Sequence, residues 1–330
     1  MNAGQPVTEQ GIAVREIARQ ENLSISVDLL PLAEGVGRSI EDSRSANTSR
    51  ALRTRWASFC NWAEPRGFST LPAEPFVVSL YAEALDRDGK SLATILAYVS
   101  AIATVHKDRG LDNPCENHGV REYIAGKRRQ RAPRRQRQAS ALSDDDRHAV
   151  LVSLYRRRRG RGGHIETQEH ADSRAKVDEA LLLSMTQAGL RRSEASALTW
   201  GDISEYRDGT GRILIASGKT DQTGKGAVVA VKRDCIRALL SIKPPDATPD
   251  ETVFRLSGAQ ISRRLKAMCA AAGIDTDRIS GHTPRVSLAR GMSEKGAPTH
   301  LIQRQGRWSS TSMVVSYTRE AAAAETLGWL

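Results

Sequence analysis

The sequence predicts a mainly α-helical protein in two domains, the second carrying a small antiparallel β-hairpin sheet. Three observations carry that prediction. Apolar residues recur at helical spacing through four segments between Thr48 and Arg129. A basic run from Lys127 to Gln138 then breaks the pattern, with Pro133 inside it and no apolar residue larger than Ala132. Beyond it, helical patterns resume around two β-rich runs, 213–216 and 227–231.

Composition narrows the class. With 330 residues the chain is long enough for two cores. Forty-nine Lys and Arg against 38 Asp and Glu leave a formal net charge of +11 and a pI near 9.8, which points to a polyanionic partner, nucleic acid first. A membrane-surface binder would need a basic helix with large apolar residues opposite, and none is legible. No apolar run is long enough to span a bilayer, and the N-terminus lacks a charged-then-apolar leader, so the chain is expected to stay in the compartment where it is made. Cys60, Cys115, Cys235 and Cys269 stand far apart without a Cys-x-x-Cys pair and read as reduced thiols.

Residues 1–40 show no clear period and read as a loosely held arm, with short helices around 14–20 and 29–33. A helical domain follows over 41–129. Leu52, Trp56, Phe59 and Ala63 keep helical spacing, with Arg53 and Arg55 off the stripe, until Pro65 and Gly67 stop it. A second helix starts at Pro75, a residue suited to a first turn, with Val78, Tyr81 and Leu85 inward, and Asp88-Gly89 ends it. A third, 91–107, buries Leu92, Ile95, Val99, Ile102 and Val105, and Gly110 caps it. A short helix over 120–129 completes the bundle. The edge of the third helix that bears Lys90, Ser91, Thr94 and Tyr98 is polar: a solvated face, or one shaped to lie in a major groove. Residues 130–141 form the linker. Its like charges repel unless phosphates lie close, so Arg134 and Arg135 are expected to touch a phosphate backbone.

The second domain, 142–330, opens with Ser143-Asp144-Asp145-Asp146, a capping-box pattern with acids at the positive end of a helix that runs to Tyr155. A polar loop over 160–172 holds His164 and His170. Without a carboxylate or thiol at fixed spacing they read as surface residues, and no metal is expected. Residues 177–189 read as a buried helix ended by glycine. Gly189-Leu190-Arg191-Arg192-Ser193-Glu194 follows, an arginine fork with a carboxylate one turn on. The β-runs are joined by a connection holding Lys219 and Lys225. Residues 257–272 form a basic helix with Ile261, Leu265 and Met268 inward and Arg263, Arg264 and Lys266 outward.

The C-terminal stretch carries the chemistry. His282 and Arg285 stand three apart, on one helix face, where they can grip one anionic group together. Gly306-Arg307-Trp308 follows, and Tyr317 lies beyond it. A tyrosine hydroxyl aimed at the gripped anion can attack it and form an ester, which is phosphoryl transfer without a metal. His-x-x-Arg alone is weak. Together with Gly-Leu-Arg-x-x-Glu, a hairpin lysine, Gly-x-Trp and a spaced Tyr, it resembles the active-site signature of the tyrosine recombinases. Trp308, where most of the family has a second His, points to the Cre-like branch. The resemblance covers about residues 45–330.

What the resemblance implies is specific. The two domains would close as a C-shaped clamp on double-stranded DNA. Tyr317 would attack the scissile phosphodiester, leaving a 3′-phosphotyrosine and a free 5′-hydroxyl. Arg191, Arg285 and Trp308 would stabilise the phosphate oxygens, Glu194 would hold the Arg191 guanidinium or the neighbouring base, and His282 would assist proton removal from Tyr317 or donate to the phosphate. Arg192 stands where the family has an apolar residue, which leaves open which arginine is the ligand. A hairpin lysine would protonate the leaving oxygen: Lys219 first, in Ser-Gly-Lys-Thr, with Lys225 the alternative. Lys90, Thr94 and Tyr98 would read bases in the first domain, and Arg264, beside Arg263, a guanine in the second. A terminal helix over 321–330, ending Leu327-Gly-Trp329-Leu330, would dock on a neighbouring protomer. No cofactor is implied. The partners would be inverted-repeat DNA sites and three further copies of the chain, which would be a monomer when free, acting in a bacterial-type cytoplasm and not at a membrane. A type IB topoisomerase-like enzyme would share the chemistry without a partner site. A catalytically inactive DNA-binding relative would have lost a ligand, against which Arg191, His282, Arg285 and Tyr317 all stand intact.

Overall fold

The computed structural model describes residues 31–32, 35–36, 46–130, 139–160, 162–216 and 226–327, with the side chains of 46 and 320–327 left out. The chain divides between Arg135 and Gln136 into two compact units, each with its own core.

The first unit packs α1 (Ala46–Ala63), α2 (Pro75–Arg87), α3 (Leu92–Asp108) and α4 (His118–Gln130). The helical stripes meet at Phe59, Val78, Tyr81, Ile95 and Ile102, all at most 2% exposed. Pro75 occupies the first turn of α2, and the Ser91 hydroxyl caps α3 by accepting from the Thr94 N–H. His106 is wholly buried and takes the inward place expected of Val105, which is half-buried. Its Nε2 accepts from the Ala73 N–H and its Nδ1 faces the Ile102 carbonyl, each at 2.8 Å, so it ties the approach to α2 onto α3. Lys127 does not belong to a free basic run. It lies in α4 and pairs with Glu83 at 2.7 Å and Asp86 at 2.6 Å on α2.

The second unit contains α5 (Asp144–Ser153), α6 (Gln168–Gln187), α7 (Arg192–Ala197), strands β1 (Ile203–Glu205), β2 (Gly211–Ile215) and β3 (Ala227–Val231), then α8 (Arg233–Ser241), α9 (Gly258–Ala271), α10 (Thr283–Glu294), α11 (Thr299–Gly306) and α12 (Thr311–Leu327). The strands form one antiparallel sheet in the order β1-β2-β3. Ile213 pairs with Ile203 on one side and Val229 on the other, and Ile213, Ile215, Val229 and Val231 turn inward. Against this face lies α6, with Leu181, Leu182 and Met185 in the core. The Ser143–Asp146 capping box forms as the sequence suggests.

Three elements differ from expectation. The buried helix begins at Gln168, because the Thr167 hydroxyl caps it by accepting from the His170 N–H, so His170 sits in a first turn and not in a loop. The helix α8, which seals Cys235, Ile236 and Leu239 into the core, was not read from the sequence. Finally, α12 runs unbroken from Thr311 to Leu327, where a separate terminal helix was expected at 321; no glycine or proline interrupts it. Trp329 and Leu330 lie outside the described residues. Among the described residues no helix is long and apolar enough to cross a membrane.

Candidate active site

The site is assembled around two glycines, one in a left-handed turn and one beneath the Trp308 ring. After α6 the chain reverses at Gly189, whose φ is +57°. A Cβ there would also come within 2.6 Å of Leu288 Cδ2, so a side chain would add backbone strain and force Leu288 to move. The turn delivers Arg191 to the start of α7, where Glu194 reaches back to it: the Arg191 N–H donates to Oε2 at 2.8 Å and Nη1 donates to Oε1 at 2.5 Å. The second glycine is Gly306, at the end of α11. A Cβ on it would fall 1.8 Å from the Trp308 ring, so the indole packs flat on bare backbone.

Arg285, in the first turn of α10, is 1% exposed. Its Nη1 donates to the Gly189 carbonyl at 2.5 Å and its Nη2 to the Gly306 carbonyl at 2.6 Å, and the guanidinium lies 4.9 Å from the centre of the Trp308 ring. One cation therefore binds both glycine turns. Burial first, then repulsion from Arg191 and Arg307, pulls its pKa down to about 10, which still leaves it charged at neutrality. The His-x-x-Arg spacing suggested a shared grip from one face. Instead Arg285 turns inward and His282, the residue before α10, turns to Tyr317.

Nε2 of His282 lies 2.8 Å from the Tyr317 hydroxyl. The residue is exposed overall, yet its ring is withdrawn enough from water that burial, followed by the charges of Arg285 and Arg191, lowers its pKa below the ordinary value. The imidazole is thus neutral at pH 7 and able to accept the tyrosine proton. Tyr317, half-buried on α12, also packs on Trp308, ring centres 5.7 Å apart. Trp308 is 4% exposed, and its Nε1 donor has no hydrogen-bond partner. A buried donor left unpaired is costly, so this one stands out within the site.

Arg191, Glu194, His282, Arg285, Trp308 and Tyr317 are therefore linked by direct contacts or shared partners. Lys219, Lys225, Arg134 and Arg135 lie outside the described residues. Sequence reasoning missed Arg307. Its Nη2 donates to Glu194 Oε2 at 2.6 Å and to the Gly189 carbonyl at 3.0 Å, and its Nη1 donates to the Ala188 carbonyl at 2.7 Å. The only signal available was a basic residue between the glycine and the tryptophan. Arg192 is exposed, its stem lying over Gly258 and Gly281, while Arg191 is the arginine held by Glu194.

Among the residues proposed to read DNA, Arg264 is not outward. Its Nε donates to the buried Asp178 at 2.6 Å and its Nη2 to the Arg174 carbonyl at 3.3 Å, so the guanidinium clamps α9 to α6. Arg263, one position back, is exposed. Lys90 is exposed, whereas Thr94 Oγ1 lies 2.8 Å from Ser91 Oγ in the helix cap. Tyr98 is half-buried, its ring 6.2 Å from Tyr81, which withdraws it from the polar edge.

Fold and site together define a mostly helical protein in which a tyrosine, a histidine and clustered arginines are brought together. The family described as Phage integrase family matches residues 164–324 of the chain. Similar proteins include the integrase/recombinase XerD homolog of Selenomonas ruminantium, 25% identical over 304 residues, 86% of this chain and 84% of that one. Recombinase Cre of Escherichia phage P1 is 24% identical over 294 residues, 80% of each. In fold, the chain is similar to the XerH site-specific recombinase in its post-cleavage complex with palindromic difH DNA, with a TM-score of 0.59 at 16% identity over 96% of this chain and 87% of that one.

Proposed function

We propose that this protein is a site-specific DNA recombinase that cleaves and rejoins duplex DNA through a 3′-phosphotyrosine on Tyr317. The observation that carries the reading is the 2.8 Å contact between His282 Nε2 and the Tyr317 hydroxyl, set beside two arginines and the unpaired Trp308 donor. Neutral His282 takes the phenolic proton as the oxygen attacks phosphorus. Arg191 and the Trp308 N–H meet the charge that grows on the non-bridging oxygens, and Arg285, held inward by the Gly189 and Gly306 carbonyls, adds its positive field from behind Trp308. The P–O bond to the 5′-oxygen breaks, and a hairpin lysine, Lys219 before Lys225, supplies that oxygen's proton. The ester conserves the bond for rejoining, so the free 5′-hydroxyl of a partner strand can displace the tyrosine.

Four copies on two inverted-repeat sites would exchange strands through a Holliday junction. The tail beyond Thr326, with Leu327, Trp329 and Leu330 on a short polar end, would dock on the next protomer. Deleting 326–330 should then leave binding to one site intact and weaken pairing of two sites in native gels; unchanged tetramers would refute the trans contact. The central test is Tyr317→Phe with a nicked duplex that traps the covalent complex. The variant should bind as the wild type does and leave no adduct on a denaturing gel. A persistent adduct would mean another residue is the nucleophile.

A further inference from the structure

We propose that Arg307 is a positioning residue that locks the turn bearing Arg191 to the segment bearing Trp308, acting through Glu194. Its backbone sits at φ +54°, ψ +47°, a left-handed conformation disfavoured for any residue with a Cβ. The side chain holds it there. The guanidinium spans two carbonyls at the end of α6 and the carboxylate of Glu194, and the side chain is 9% exposed. Glu194 is itself only 5% exposed in its side chain, and it divides its two oxygens: Oε1 takes the Arg191 guanidinium, while Oε2 takes the Arg191 N–H and Arg307. Arg307 thus fixes the carboxylate that fixes Arg191, from the residue adjacent to Trp308. It touches no reacting atom in this arrangement. Lysine could restore the charge but not a planar fork with three acceptors.

The proposal rests on the reading that Tyr317 cleaves DNA, and its test keeps the two apart. Wild type, Arg307→Met, Arg307→Lys, Glu194→Gln and the Arg307→Met/Glu194→Gln double variant are incubated with a nicked duplex selected by the wild type from a randomised pool. Arg307→Met should bind the duplex within about threefold of wild type but cleave it about 10–100-fold more slowly, the size of effect seen when a group that orients a ligand is lost. Arg307→Lys should recover part of that loss. On the Glu194→Gln background, Arg307→Met should cost less than about threefold more, because the carboxylate it serves is already neutral. A full, additive loss in the double variant would overturn action through Glu194, and so would cleavage loss matched by equal loss of binding. A crystal structure of Arg307→Met supplies a readout without activity: Arg191 should leave its wild-type rotamer, and an unmoved Arg191 overturns the proposal even if no duplex is cleaved. Absence of adduct from the wild type, by contrast, counts against Tyr317 cleavage and not against this lock.

Discussion

His282 sets the pH at which the site can work. Its pKa lies below the ordinary 6.5, through burial first and then Arg285 and Arg191. A lowered pKa means that the neutral ring, which can accept the Tyr317 proton, is present above that pKa and lost as pH falls through it. Single-turnover cleavage should therefore rise along a limb lying below pH 6.5. It should be flat from neutrality upward through the mildly alkaline range. His282→Gln should lower the plateau by about 10²–10⁴-fold and erase the limb. A limb centred above 6.5 would show that the ring is not held neutral as described. At this scale the sequence reveals which residues take part but not where they point. Spacing places His282 and Arg285 on one turn. The carbonyls that turn Arg285 inward belong to Gly189 and Gly306, brought near only by the packing of α6 and α11 against α10.

Elements were legible where a local rule governs them and obscure where a partner from afar decides. The Ser143–Asp146 box and Pro75 at a first turn follow from neighbours in sequence, and both appear as read. The inward turn of Arg264 follows from Asp178, 86 positions away, which no periodicity can show. Asp178 is 1% exposed and faces Arg158, Arg174 and Arg264, so one carboxylate joins the exit of α5, α6 and α9. Asp178→Ala should destabilise the second unit by about 3–5 kcal/mol, because it leaves partly buried arginines without their counter-charge. Urea midpoints at constant slope would measure it. Arg264→Ala should cost about 1–3 kcal/mol in stability and leave the choice among DNA sequences unchanged. Unchanged stability with relaxed choice at one base pair would return Arg264 to base reading. Gly306→Ala tests the same level nearer the chemistry. The added Cβ would meet the Trp308 ring at 1.8 Å, so the indole must move. Cleavage should fall far more than DNA affinity, and equal falls would show that Trp308 is chiefly a packing residue.

Across the whole molecule, the excess charge has to be located before it can be assigned a task. Many cations are neutralised internally: Lys127 by Glu83 and Asp86, Arg191 and Arg307 by Glu194, and Arg174 by Glu166 and Asp178. Six arginines between 128 and 137 (128, 129, 131, 134, 135 and 137) stand in a stretch with no acidic residue, against a net charge of +11 for the chain. If the stretch crosses a DNA backbone, its arginines displace condensed counter-ions, and each phosphate neutralised adds about 0.9 to the slope of log affinity against log salt. Replacing Arg134 and Arg135 with Gln should then lower that slope by up to about 1.8 and weaken target and unrelated duplexes by the same factor. Cleavage by the bound fraction should be unchanged, because a contact to the phosphate backbone adds affinity without taking part in the chemistry at Tyr317. Titrations at several salt concentrations on two unrelated duplexes decide it. An unaltered slope would mean that the run is a solvated connector and that the duplex is held by surfaces within the two units.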